Sequence, residues 1–113
     1  MALSRGQLRE VIPVAASATI GIVTVASSKK VYVKNISLHN TGAATTANAV
    51  VYFIPNGDSV GVANQMFDID LSAKETVSLD LNYPFVMDTT GDVLTVKALV
   101  TQVNVMVTGD VES

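Results

Sequence analysis

Apolar and polar positions alternate along most of this chain, and the phase of that alternation marks out its elements. Val77, Leu79 and Leu81 alternate with Ser78, Asp80 and Asn82. Leu94, Val96, Ala98 and Val100 alternate with Thr95, Lys97 and Leu99, and Val103, Val105 and Val107 with Asn104, Met106 and Thr108. A period of two sends one set of side chains to a core face and the other to solvent, which is the pattern of a half-buried strand. Residues 19–25, containing Ile20 and Ile22, read as a further strand. The run from Ala47 to Ile54 is apolar on both phases, as in a central strand covered on both faces. Val60 to Leu71 changes phase partway, and Tyr83-Pro84-Phe85 is expected to break a strand before a short one at Val86-Met87.

One phase conflict makes a specific prediction. Between Val31 and Asn40, Tyr32, Ile36 and Leu38 share a phase with Lys34, while Val31 and Val33 lie on the other. A β-bulge at Lys34-Asn35 resolves it, because one extra residue re-aims the side chains on one side of it. The stretch from Lys29 to Gly57 reads as two long strands of a hairpin joined by a loop of small residues. Pro55-Asn56-Gly57-Asp58 closes it as a turn requiring positive φ. Turn signals recur about every 8–12 residues, the spacing of an antiparallel sandwich or barrel. The expected fold is therefore an all-β, antiparallel β-sandwich of about eight strands. Alternation does not give strand order, so a jelly-roll-like and an immunoglobulin-like arrangement both remain open.

The beginning of the chain lacks a clear period. Gln7 to Ile12 has room for one helical turn before Pro13, and residues 1–18 are expected to be an extended arm on a sandwich domain of residues 19–113. Val11 to Ala26 holds no charge, but sixteen residues interrupted by Pro13 and Gly21 fall short of the about 20 apolar residues a spanning helix needs. Glu10 spoils the basic flank of a signal peptide.

Composition agrees with strands: valine, threonine and isoleucine supply 36 of the 113 residues, and β-branched side chains suit a pleated sheet. Cysteine is absent, which removes disulfides, thiolate catalysis and cysteine-ligated zinc. The net charge of −3 is unevenly spread. Arg5, Arg9, Lys29, Lys30 and Lys34 face only Glu10 in the first 34 residues, while nine acids face two lysines in the remainder. A basic leading segment suits an acidic partner surface or the body of a neighbouring copy.

Candidate chemistry is sparse. His39 has no partners at the spacing of a triad or zinc site. Asp68 with Asp70, and Asp88 with Asp92, match no calcium-loop motif. The glycines are isolated, with no phosphate-cradling run. An acidic chain with no Trp and few aromatics does not suit nucleic acid. The expectation is a non-enzymatic protein without catalytic residues, cofactor, metal, nucleic-acid or membrane partner.

The run SSKKVYVKNISLHNTGAATTANAVVYFIPNGDS resembles the front half of small virion proteins of tailed bacteriophages. In that family a lysine-flanked turn leads into a strand of the form (V/I)-x-K-x-I-x-L-x-N-T, and a second strand ends in P-x-G. SAKETVSLDL, from Ser72, and the closing GDVLTVKA and VNVMVTG are similar to its later strands. The resemblance covers roughly residues 20–111. It implies a jelly-roll-like decoration or cement protein, made in the host cytoplasm and bound to the capsid exterior. There it would stabilise contacts between major capsid subunits, with the major capsid protein and other copies of itself (a dimer or trimer) as partners. Similar sequences also belong to head fibres, necks and tails, so a structural component there, or a receptor- or glycan-binding module, is the alternative. The candidate capsid contacts lie in the leading segment: Arg5 and Arg9 as polar anchors, and Val11, Ile12 and Val14 as apolar ones.

Overall fold

The computed structural model describes residues 3–113. Eight strands follow one another: β1 (Leu3–Val14), β2 (Thr19–Thr24), β3 (Lys30–Asn40), β4 (Ala47–Ile54), β5 (Gln65–Leu71), β6 (Thr76–Met87), β7 (Val93–Leu99) and β8 (Val103–Glu112). A single 3-10 turn, Val62–Asn64, precedes β5. The strands form two four-stranded antiparallel sheets, ordered β1-β8-β3-β6 and β2-β7-β4-β5. Except for β4 and β5, consecutive strands lie in opposite sheets, so the chain winds back and forth across the sandwich. An eight-stranded double sheet of this order is a jelly roll. It differs from the four-plus-three arrangement of an immunoglobulin domain. No helix among the described residues is long and apolar enough to cross a membrane.

The core follows from the alternation. Val14, Val33, Ile36, Leu38, Val103, Val105 and Val107 of the first sheet meet Ile22, Ala49, Val51, Leu71, Leu94, Val96 and Ala98 of the second, all buried. Strand β4 is also covered on its outer side, where Val50, Tyr52 and Ile54 form a second buried group. The 3-10 turn lies against this strand. That accounts for a sequence apolar on both phases.

The bulge predicted at Lys34-Asn35 is present. The register of β3 slips between Val33 and Asn35 against both β6 and β8, carrying the inward phase from Val31 and Val33 to Ile36 and Leu38.

Three expectations are corrected. First, β3 and β4 do not form a hairpin; they lie in different sheets, where each is a central strand with both edges taken by other partners, β3 by β8 and β6 and β4 by β7 and β5. The Pro55-Asn56-Gly57-Asp58 turn does form, with the Asp58 amide donating to Pro55 O at 3.0 Å and Gly57 at φ 91°; it leads into the β4–β5 hairpin. Second, β6 continues as one strand to Met87, and the expected break is only in its pairing: Asp80 pairs with Asn35 and Phe85 with Val33, so residues 81–84 bulge out opposite Lys34. Pro84 is tolerated because β6 is an edge strand. Third, residues 3–14 form neither an arm nor a helical turn. They pair with β8 from Leu3↔Glu112 to Val14↔Val103, and register shifts between Gln7 and Arg9 and between Arg9 and Ile12 hide the strand's period in the sequence.

Candidate interaction surface

Each candidate contact residue of β1 takes its position from that strand's pairing. Arg5, Arg9 and Val11 are exposed, Val11 at 59%. Ile12 is half-buried and packs against the core. Val14 is wholly buried. Val14 is thus a core residue with no surface to offer a partner, a correction that follows from its pairing with Val103. The edge presents two cations and one apolar side chain.

Behind that edge lies a polar cluster. Asp110 on β8 is buried, and Lys34, set on the β3 bulge, places Nζ 2.7 Å from its Oδ2. The mostly exposed Arg5 approaches Oδ1 at 3.4 Å. The hydrogen bond from Lys34, with the charges of Lys34 and Arg5, holds the Asp110 carboxyl below its ordinary range, against the opposing effect of burial. Nearby, the Tyr32 hydroxyl donates to Glu112. That bond, burial and the negative charges of Glu112 and Asp88 push the phenol up. Both carboxylates of β8 are therefore already engaged within the sheet.

The remaining candidate residues serve structure. His39 Nδ1 lies 2.8 Å from Thr76 Oγ1 across the β3–β6 pair. Asp68 and Asp70 both accept from Asn48 Nδ2, at 2.6 and 3.0 Å. Asp92 accepts from the amides of Asn56 and Thr89, at 2.9 and 3.3 Å, and so ties two turns together. Among the described residues no three His, Cys, Asp or Glu side chains gather as metal ligands do.

The opposite edge, made of β5 and β6, holds the feature missed in the sequence. A groove of about 360 Å³ opens between the sheets, lined by Phe53, Met66, Phe85, Val86 and Met87 with Asp92 at its side. Phe85 sits edge-on to Phe53 at 4.6 Å and stacks on Phe67 at 5.9 Å. Around it Met66 and Val86 are half exposed, and Tyr83, beside the lining Pro84, is 89% exposed. The only sequence signal was Tyr83-Pro84-Phe85, which marks the wide bulge that opens this end of the sandwich.

No protein-family model matches the sequence, and no curated protein does. Among solved structures the chain is similar to that of the infectious bursal disease virus Gt strain, with a TM-score of 0.40 and 9% identity over 97% of this chain and 30% of that one. It is similar also to a chain of an infectious bursal disease virus particle, with a TM-score of 0.43, 9% identity and the same coverage. A third similar structure is the VP2 subviral particle of that virus, with a TM-score of 0.33, 9% identity and coverage of 97% and 31%. This chain spans under a third of the length of each of those chains.

Proposed function

We propose that the chain is a structural, non-enzymatic protein of a virus particle, a decoration or cement protein on the outer surface of a tailed-phage head. The observation that carries this reading is where the resembling segments fall. The lysine-flanked segment is β3, SAKETVSLDL is the turn leading into β6, and the last two segments are β7 and β8. All are framework strands of one jelly roll. That fold serves viral capsid domains but also lectins and cupins, and fold alone does not choose among them; the sequence resemblance supplies the choice.

In this role the protein bridges neighbouring major capsid subunits. A protein that binds only the assembled shell stabilises it by mass action. Weak contacts multiply when several copies sit around one symmetry axis. Arg5, Arg9 and Val11 remain the candidate contacts, now as the exposed edge of β1. The test is to add the purified chain to shells of the major capsid protein lacking it. Binding together with a higher disruption temperature supports the reading, and shells that neither bind nor gain stability contradict it.

Exposed Tyr83 beside an apolar groove favours a second reading, a receptor- or glycan-binding module of a head fibre, neck or tail. Glycan-array binding that is lost in Tyr83→Ala would select it.

A further inference from the structure

The charge asymmetry of the sequence becomes a spatial one in the fold. β1 and β2 are the edge strands on one side of the sandwich and are in contact with each other; β6 and β5 are the edge strands on the other. The β1 edge carries exposed Arg5 and Arg9 against Glu10. Between Pro55 and Asp92, the segment that forms the other edge and its loops, seven of the ten acids stand against Lys74 alone. The apolar groove opens on that acidic side.

We propose that copies of this chain associate head to tail, the basic β1 edge of one copy docking along the acidic β6 edge of the next. The register places the charges of the two edges near one another. Arg5 pairs with Asp110, Asp110 with Tyr32, and Tyr32 with Val86, two residues before the exposed Asp88. Arg9 pairs with Val107, Val107 with Ile36, and Ile36 with Leu79, next to the exposed Asp80. Moving one copy sideways across the sheet therefore brings Arg5 level with Val86, two residues from Asp88, and Arg9 level with Leu79, one residue from Asp80, distances a long arginine side chain spans. Every pair in this sheet is antiparallel, so the moved β1 also runs antiparallel to β6.

The bulges of β1, with Pro13 and Pro84, limit continuous backbone pairing, as edge strands commonly do. Side-chain complementarity thus carries the contact, with Tyr83 and Val86 beside it to bury apolar surface. The two surfaces lie on opposite edges of one molecule, so the interface is heterologous and builds a closed ring or an open chain. This inference rests on the fold and charges alone and is independent of the capsid reading.

Sedimentation of the full chain, without shells, tests it. The wild type should associate at low ionic strength and dissociate as salt is raised. Arg5→Glu with Arg9→Glu, and separately Asp80→Lys with Asp88→Lys, should each weaken association at least tenfold. An equimolar mixture of the two should restore it, because each altered edge then meets its opposite. Should the first variant not fold, Arg9→Glu mixed with Asp80→Lys makes the same test with exposed side chains that form no hydrogen bond or ion pair among the described residues. A wild type monomeric at low salt, association indifferent to the reversals, or a mixture that fails to recover would overturn the proposal. So would loss on reversing the arginines with none on reversing the aspartates, which would put a different surface opposite β1.

Discussion

Lys34 is the one residue of β3 with no partner on either neighbouring strand, and its ammonium lies 2.7 Å from the Asp110 carboxylate of β8. The bulge that satisfies the apolar phases of β3 also turns this lysine onto a buried acid. A packing constraint and an electrostatic one are met by the same extra residue.

This pair makes stability depend on acid. The carboxyl of Asp110 is held below its ordinary range in the folded state. Its contribution is therefore present at neutral pH and is lost as pH falls below about 4, the unfolded carboxylate range, toward the folded value. Asp110→Asn should lower the melting temperature at pH 7 and flatten its decline in acid. Melting curves across pH check this, and a variant with the wild-type acid slope would contradict it.

Asn40 is fully buried and bonded at both ends of its amide. The two hydrogens of its Nδ2 are shared among the carbonyls of Thr45, Leu71 and Ser72 at 2.8–3.1 Å, and its Oδ1 accepts from the Gly42 amide at 2.8 Å. It thereby fastens the loop after β3 to the turn between β5 and β6. Asn40→Ala removes these bonds and strands backbone groups in the interior, so urea denaturation should show a loss of about 3 kcal/mol.

Gly109 faces Val33 on β3 and Gly6 on β1. A Cβ there would collide with the backbone carbonyl of Tyr32 and press on Leu8. No rotamer change relieves a clash with backbone. Gly109→Ala should cost about 3 kcal/mol, seen as a lower urea midpoint, whereas Gly57→Ala meets no neighbour and strains only its turn.

Val100, between β7 and β8, is a β-branched residue at φ 80° and is 64% exposed. Its conformation is strained and its side chain gains little burial in return. Val100→Asn should raise stability by about 1 kcal/mol, since asparagine tolerates this region. An increase in the urea midpoint checks it.

How much of this was legible depended on whether a residue's neighbours in space left a trace in its own segment. The β3 bulge was, because Val33 and Ile36 cannot both face the core without it. The double burial of β4 was, because both phases are apolar. Pairing partners were not: alternation says which face a side chain takes and nothing of which strand lies beside it, so β3 and β4 read as a hairpin. Strand β1 escaped notice because a solvent-facing edge needs only Leu8, Ile12 and Val14 directed inward, and two bulges put these out of period. That concealment also misplaced the candidate contacts, since Val14 reads as an accessible apolar anchor until its pairing with Val103 is known.

The capsid reading is tested most directly by the copy number and position of this chain in purified particles, by cryo-electron microscopy with quantitative mass spectrometry. The account predicts a fixed ratio to the major capsid subunit and density on the outer surface of the head, between neighbouring subunits. Substoichiometric copies confined to the neck or tail, or absence from the particle, would contradict it.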